Sequence, residues 1–274
     1  MPEITLGNYS SRVTINTHGA GMRWSQEDRP ILYSKKNHET HPCGTFLSSA
    51  GCLPNAKERS VVRGFPGISE WTPVRRTPEM IELELANIPD LIPSELSAEY
   101  PTYFLARLAV TLEDRNTLHS RLVYQHAGLI PAPANISLHT YFPWESGINL
   151  VDLSDRSYED WHEGTRMGVG SLINSALYSA SSRDWTFSAE GINPFRIAYP
   201  DETRIVMSDN SSPRIGCYRV RTEPDQADSL RVEPMIYSDT DWLNHKLPVG
   251  KTIELDITFK VVPPERRRGR SVAF

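Results

Sequence analysis

Hydrophobic and polar residues alternate with a period of two along most of this chain. The alternation is clearest in residues 81–85, 104–112 and 253–259, and shorter versions occur in residues 13–15 and 118–125. Successive side chains of a β-strand point to opposite faces, so each stretch predicts a strand with one buried face and one face in water. Glycines and prolines fall mostly between these stretches, where turns are expected. The pattern therefore predicts antiparallel sheets with one solvated side.

Helical periodicity is scarce by comparison. The best candidate is a short turn at residues 94–96, and no strand is followed by a glycine-rich phosphate-binding motif. No repeat of fixed period and no linker rich in glycine and serine divides the chain. We predict an all-β fold with one domain at residues 1–262. We expect residues 263–274 to be a solvated basic tail, since two prolines end the last strand and the arginines after them cannot build a core.

Composition restricts the class of protein and its partners. Hydrophobic residues make up 39% of the 274 residues, which is enough for a substantial core. The formal net charge of −5 argues against nucleic acid and anionic membranes as partners. The three cysteines, Cys43, Cys52 and Cys217, fit neither a zinc site nor a disulfide framework. No apolar run approaches the ~18 residues of a membrane-spanning helix, so we expect a cytoplasmic protein, and its oligomeric state stays open.

Two ionisable residues stand among apolar residues on predicted strands. On one strand, Ser137, His139 and Tyr141 share a face, and mostly apolar neighbours share the other. Further along the chain, Glu233 is followed by Pro234, which restricts it to extended backbone. A histidine titrates near neutral pH and a carboxylate can act as a base, so His139 and Glu233 are a candidate acid and base. A structural role stays open for each of them taken alone.

Several short motifs, read in order, resemble the aldose 1-epimerase (galactose mutarotase-like) family, and in particular its hexose-6-phosphate mutarotase-like branch. The match spans most of the chain and rests on the order and spacing of the motifs, because none is decisive alone. The matching segments are Gly19-Ala20-Gly21-Met22, Pro30-Ile31-Leu32-Tyr33, Gly44-Thr45-Phe46, Pro54-Asn55, Arg63-Gly64-Phe65-Pro66-Gly67, Trp71, Tyr100-Pro101-Thr102-Tyr103-Phe104, Leu138-His139-Thr140-Tyr141-Phe142, Val232-Glu233-Pro234 and Leu247-Pro248-Val249-Gly250.

The resemblance implies a β-supersandwich of twisted, mostly antiparallel sheets with a sugar-binding cleft. It also implies an isomerase in which the residue matching His139 protonates the ring oxygen of a pyranose. The residue matching Glu233 takes the proton from the anomeric hydroxyl, and ring opening, rotation about the C1–C2 bond and closure give the other anomer. This chemistry needs no cofactor and no metal, and His38 and His41 have no carboxylate or cysteine at metal-site spacing.

The chain departs from the family pattern at two positions. Arg63 stands where the family usually has a second active-site histidine, and Gly67 stands where hexose-6-phosphate relatives carry an arginine. Arginine stays charged, so Arg63 can donate hydrogen bonds to a sugar oxygen but cannot cycle a proton. Arg59, Arg63 and Arg107 remain candidate phosphate ligands. We expect a preference for neutral sugars or only a modest advantage for 6-phosphates, and the identity of the sugar stays open.

Aromatic residues are the other expected sugar contacts, because pyranose C–H faces pack on rings. Trp71, Tyr141 and Trp242 lie near the matched motifs, with core packing as the alternative for each. Tyr141 is the strongest of the three, since it shares a predicted strand face with His139.

The leading prediction is an aldose 1-epimerase, or mutarotase, acting on a hexose or related sugar. A catalytically inactive carbohydrate-binding protein on the same scaffold is the main alternative, and Arg63 favours it. A pure binder needs neither an acid nor a base, so the presence of both His139 and Glu233 favours the enzyme. A lyase or hydrolase on a related sandwich is a third alternative, since one fold supports several chemistries, although the sequence pairs no second acid with Glu233.

Overall fold

The computed structural model describes most of the chain and leaves several segments outside. It describes residues 3–32, 34–35, 38–39, 41–43, 70–86, 104–129, 131–134, 136–153, 156–160, 167–169, 183–222, 229–237 and 245–264. Arg59, Arg63, Trp242, the candidate turn at residues 94–96 and the tail from residue 265 lie outside the described residues. These predictions therefore stay predictions.

The described residues form an all-β protein, which confirms the predicted fold class. They contain one short 3₁₀ turn, Val151–Leu153, and no α-helix. The strands are β1 (Glu3–Asn8), β2 (Ser11–Asn16), β3 (Met22–Gln26), β4 (Arg29–Leu32), β5 (Ser34–Lys35), β6 (His38–Glu39), β7 (His41–Cys43), β8 (Thr72–Arg76), β9 (Met80–Ala86), β10 (Phe104–Asp114), β11 (Thr117–His126), β12 (Ala132–Pro133), β13 (Ser137–Pro143), β14 (Asn149–Leu150), β15 (Ser157–Asp160), β16 (Met167–Val169), β17 (Arg183–Ser188), β18 (Phe195–Ala198), β19 (Arg204–Asp209), β20 (Cys217–Thr222), β21 (Ser229–Met235), β22 (Lys246–Leu247) and β23 (Thr252–Val262).

Two large antiparallel sheets dominate the part of the chain that the structure describes. An eight-stranded sheet has the order β14-β18-β19-β23-β11-β10-β9-β8, and a seven-stranded sheet has the order β16-β15-β17-β20-β21-β13-β7. A smaller sheet contains β1 to β4 in chain order. Within the described segments, no helix has the length and apolarity needed to cross a bilayer.

The eight-stranded sheet follows the alternation read from the sequence. The register places Leu122 opposite Leu108 on one side and Leu255 on the other, and all three side chains are buried. The alternate residues carry charge on the exposed face, where Arg121 donates two hydrogen bonds to Glu254, at 2.9 and 2.8 Å. Burial of one face in three neighbouring strands fixes their register, because a slip of one residue would turn the apolar side chains into water.

The core lies between the two large sheets. Phe142 of the seven-stranded sheet packs against Phe259 of the eight-stranded sheet, with ring centroids 6.4 Å apart. One cluster of buried apolar residues extends in sequence from Ile4 to Val261. The end of the single domain at residue 262 stays a prediction. Because alternate residues of the seven-stranded sheet enter this core, its remaining residues lie on the opposite face.

Candidate active site

His139 and Glu233 lie side by side on neighbouring strands of the seven-stranded sheet. The register pairs Ser137 with Met235 and Thr140 with Val232, so His139 lies opposite Glu233. Leu138 and Val232 are buried in the core, and the alternation turns His139 and Glu233 to the opposite side of the sheet. Strand pairing therefore brings together two residues that are 94 positions apart in the sequence.

The same side of the sheet carries further charged residues, which we call the polar face. On β20, Arg219 is paired with Glu233, which continues the row that contains His139. The next row along the strands runs from Tyr141 through Arg231 and Arg221 to Asp184. The polar face is defined by Ser137, His139, Tyr141, Asp184, Thr186, Arg219, Arg221, Arg231 and Glu233.

The two oxygens of Glu233 have different surroundings. Oε1 lies 2.7 Å from His139 Nε2 and also accepts a hydrogen bond of 2.7 Å from Ser137 Oγ. Oε2 is buried and has no hydrogen-bond partner among the described residues, and its nearest cation is Arg231 Nη2 at 3.8 Å. The side chain of Glu233 is only 1% exposed. One oxygen is thus held in place by two side chains, and the other keeps unused capacity to accept a hydrogen bond.

The charges of the polar face set the protonation state of the pair. Burial raises the pKa of Glu233, but the attraction of His139, Arg231 and Arg219 outweighs burial and holds the pKa well below its ordinary value. Burial lowers the pKa of His139; Arg231 and Arg219 add to this, and Glu233 opposes it without reversing it. At neutral pH the pair is therefore an ionised carboxylate that accepts a hydrogen bond from a neutral imidazole. Burial is the main reason that the imidazole is neutral at rest.

Asp184 holds one of the three arginines of the polar face. Arg219 donates to both carboxylate oxygens of Asp184, from Nε at 2.6 Å and from Nη2 at 2.8 Å. Arg221 Nε lies 3.6 Å from Asp184 Oδ2. A forked pair of this kind fixes the guanidinium plane, so Arg219 is a rigid cation beside Glu233.

Sequence reasoning missed Asp184, Arg219, Arg221 and Arg231. A local signal exists for Arg231, because it precedes Glu233 by two positions on one strand and so shares its face. The same alternation places Arg219 and Arg221 on one face of β20, but it does not tell that β20 lies next to β21. Pairing between strands is needed to bring these residues together.

The other predicted site residues have different locations. Tyr141 lies on the polar face opposite Arg231, and it is buried. Trp71 is buried in the hydrophobic core, and its backbone N–H donates to Thr17. Arg107 is exposed on the outer face of the eight-stranded sheet, where its Nε donates to Glu84 at 2.9 Å. The structure therefore brings Tyr141 to the pair, but not Trp71 or Arg107. In the segments that the structure describes, no cluster of histidine, cysteine, aspartate and glutamate could hold a metal ion.

Several solved structures superpose on this chain over most of its length. No family model and no curated protein matches the chain. The Slr1438 protein of Synechocystis sp. PCC 6803 superposes with a TM-score of 0.75 at 15% identity, covering 95% of each chain. A galactose mutarotase related enzyme from Lactobacillus acidophilus gives a TM-score of 0.66 at 13% identity, covering 97% of this chain and 99% of the other. The chain has the galactose mutarotase-like fold.

A third structure with the galactose mutarotase-like fold is the GalM/aldose epimerase homologue from C. elegans. It superposes with a TM-score of 0.65 at 10% identity and covers 96% of this chain and 99% of that chain. The family resemblance found in the short motifs is thus confirmed at the level of the fold. At these identities the likeness extends to the fold alone, so activity has to be argued from the polar face.

Proposed function

We propose that this protein is an aldose 1-epimerase that interconverts the α and β anomers of a hexose or related sugar. The observation that carries the proposal is the contact between His139 Nε2 and Glu233 Oε1, at 2.7 Å, on one face of a sheet. Mutarotation needs a proton removed at O1 and a proton delivered at O5, and these two oxygens are bonded to the same carbon. An acid and a base in direct contact match that requirement.

In the proposed reaction the sugar replaces the direct contact between the two side chains. Glu233 takes the proton from the O1 hydroxyl, and protonated His139 gives a proton to O5 as the C1–O5 bond breaks. The products are a protonated carboxylate, a neutral imidazole and the open-chain aldehyde. After rotation about C1–C2, the same transfers run in reverse and close the ring on the other face. The protein is unchanged at the end of the cycle, and no cofactor takes part.

One observation favours the inactive carbohydrate-binding protein as the second candidate. The pKa of Glu233 lies well below its ordinary value, and a carboxylate with a low pKa is a weak base. A binder would use the same ionised carboxylate as a hydrogen-bond acceptor for a sugar hydroxyl. A hydrolase has less support, because Arg219 engages both oxygens of the second carboxylate, Asp184.

The finer points of the proposal rest on the sequence. Arg63 is a proposed substrate ligand in the place of a histidine, and Arg59 and Trp242 are proposed as further contacts. The sugar is proposed to be neutral, or phosphorylated with only a modest gain in affinity. A cytoplasmic location is proposed because Cys43, Cys52 and Cys217 fit no disulfide framework in the sequence.

Measurement of anomer exchange separates the two candidates. Exchange NMR would follow the α and β signals of glucose, galactose and their 6-phosphates, with a sample lacking protein at every condition. An epimerase raises the exchange rate above the uncatalysed rate in proportion to protein concentration. A binder broadens or shifts the sugar signals without raising that rate, and this result would contradict the proposed activity.

A further inference from the structure

Two buried polar atoms of opposite character belong to side chains that are neighbours on the polar face. Glu233 Oε2 is an acceptor and Arg231 Nε is a donor, and neither has a hydrogen-bond partner among the described residues. Arg231 Nη2 lies 3.8 Å from Glu233 Oε2, which is beyond hydrogen-bond distance. The two side chains are 11% and 1% exposed. Unsatisfied buried groups are costly, so these two neighbouring side chains are suited to a ligand that offers hydrogen bonds to both.

A hydroxyl group has the required chemistry. It donates through its hydrogen and accepts through its oxygen lone pairs, so one hydroxyl can bind the carboxylate and the guanidinium together. An oxygen about 2.8 Å from each of two atoms fits a separation of 3.8 Å between Arg231 Nη2 and Glu233 Oε2. In the proposed reaction, the hydroxyl that meets Glu233 is the one at C1.

We propose that Arg231 is a catalytic residue that binds the anomeric oxygen O1 and stabilises the negative charge that develops there as Glu233 removes its proton. This inference rests on the proposed function. Before proton transfer, Arg231 is attracted to the ionised Glu233. As the proton moves, the negative charge passes from the carboxylate toward O1, and the guanidinium remains beside it. The cation thus has a negative partner until the C1–O5 bond breaks and O5 is protonated, which is the arrangement that gives electrostatic catalysis its effect.

The proposal also accounts for a base as weak as Glu233. The positive charge of Arg231 helps to lower the pKa of Glu233, and this reduces the ability of the carboxylate to take a proton. The same charge stabilises the oxygen that loses the proton. Because both effects come from the charge of Arg231, the weakness of Glu233 as a base is offset by the stabilisation of negative charge on O1.

Arg219 provides a matched control within the same face. It is also a cation beside Glu233, and it acts on the pKa of both members of the pair. Its Nε and Nη2 are engaged by Asp184, which separates its electrostatic influence from a contact to O1. Arg231→Gln and Arg219→Gln therefore remove the same charge from positions with different geometry.

Sugars without O1 test the contact without relying on turnover. Dissociation constants would be measured by calorimetry for D-glucose and D-galactose and for 1,5-anhydro-D-glucitol and 1,5-anhydro-D-galactitol, which lack the C1 hydroxyl. Arg231→Gln should weaken the aldoses about tenfold, as expected for one charged hydrogen bond, and leave the anhydro sugars nearly unchanged. Arg219→Gln should change both classes by the same factor. Where exchange is measurable, Arg231→Gln should lower kcat by roughly 10²–10³, the usual effect of losing one such donor.

Failure of the proposed O1 contact and failure of the proposed epimerase activity give different results in these measurements. If the protein binds aldoses without exchanging their anomers, the epimerase proposal is wrong. The ratio of the dissociation constants of aldoses and anhydro sugars still tests the O1 contact. Equal weakening of aldoses and anhydro sugars by Arg231→Gln would overturn the contact and indicate a structural role. Binding of none of these sugars by the unchanged protein would overturn both. If Arg231→Gln does not fold, Arg231→Lys replaces it, because lysine keeps the charge but lacks the guanidinium donors. The same comparison of aldoses with anhydro sugars is then made with Arg231→Lys.

Discussion

At the scale of the residue, the polar face combines an ionised glutamate with a histidine whose proton is easily lost. Burial is the largest cause of the lowered pKa of His139, and Arg231 and Arg219 lower it further. The same two arginines also help to lower the pKa of Glu233. The reaction needs protonated His139 as its acid, and at neutral pH protonated His139 is the minor form.

Near-isosteric substitutions should remove proton transfer and keep the shape of the site. We expect Glu233→Gln and His139→Asn each to lower kcat/KM for anomer exchange by at least 10²-fold, within the range of about 10²–10⁴ for general acid and base catalysis. The double variant should lose little more than either single variant, because the two groups act in one event. Exchange NMR on the purified variants measures this. Near-normal exchange in either one would remove the acid and base assignment.

The activity should fall as the pH rises toward neutrality. The active form has Glu233 ionised and His139 protonated, and the pKa of His139 is lowered from its ordinary value of about 6.5. The falling limb of kcat/KM against pH should therefore lie below about pH 6.5. Arg219→Gln removes a charge that lowers the pKa of His139, so it should move this limb to higher pH.

The control for the pH profile is Arg121→Gln. Arg121 is an exposed arginine on the outer face of the eight-stranded sheet and pairs with Glu254, so its loss changes the net charge equally at a different place. Profiles would be recorded with the uncatalysed rate subtracted at each pH. A limb that moves equally in both variants would mean that net charge, and not position, determines the shift.

At the scale of the element, the sequence predicted the strands well and their neighbours poorly. The alternation at residues 104–112 and 253–259 is a local property, and burial follows it in β10 and β23. The order of β13, β21 and β20 depends on contacts between distant segments, which no local pattern encodes. His139 and Glu233 were paired from the chemistry of their residue types, and the family resemblance then linked the two distant motifs. Asp184 and Arg219 belonged to no such motif and could not be assigned to the site.

Substitutions at two adjacent residues of β21 should affect different properties, the stability of the fold at Val232 and the reaction at Glu233. Val232 is fully buried in the core, and Glu233 lies on the polar face. We expect Val232→Ala to lower the free energy of unfolding by about 2 kcal/mol, from two lost methyl groups and the resulting cavity. Its kcat/KM should stay within about twofold at temperatures well below unfolding. Urea unfolding and exchange NMR on one preparation check both, and abolished exchange in a folded Val232→Ala would show that the two faces are not independent.

At the scale of the whole molecule, the two large sheets have different tasks. The eight-stranded sheet supplies one side of the core and an outer face of paired surface charges, such as Arg121 with Glu254. The seven-stranded sheet supplies the facing side of the core and, on its opposite side, the polar face. The molecule is negative overall, with a formal net charge of −5, whereas the polar face carries three guanidinium groups and two carboxylates around a neutral imidazole. The affinity for a charged substrate therefore depends on both the net charge of the molecule and the charges of the polar face.

The balance of these charges leads us to expect no strong preference for sugar phosphates. Arg219 is engaged by Asp184 through two hydrogen bonds, and Arg231 is attracted to Glu233, so the positive charge left for a phosphate dianion is small. The net charge of the molecule repels the same dianion at distances up to the Debye length of about 10 Å at 0.1 M salt. Glucose and glucose 6-phosphate titrated in parallel at two salt concentrations should therefore differ by less than about tenfold in dissociation constant, or about 1.4 kcal/mol. A large preference for the phosphate that weakens with salt would contradict this, and it would mean that Arg59, Arg63 or the arginines of the polar face form a phosphate site.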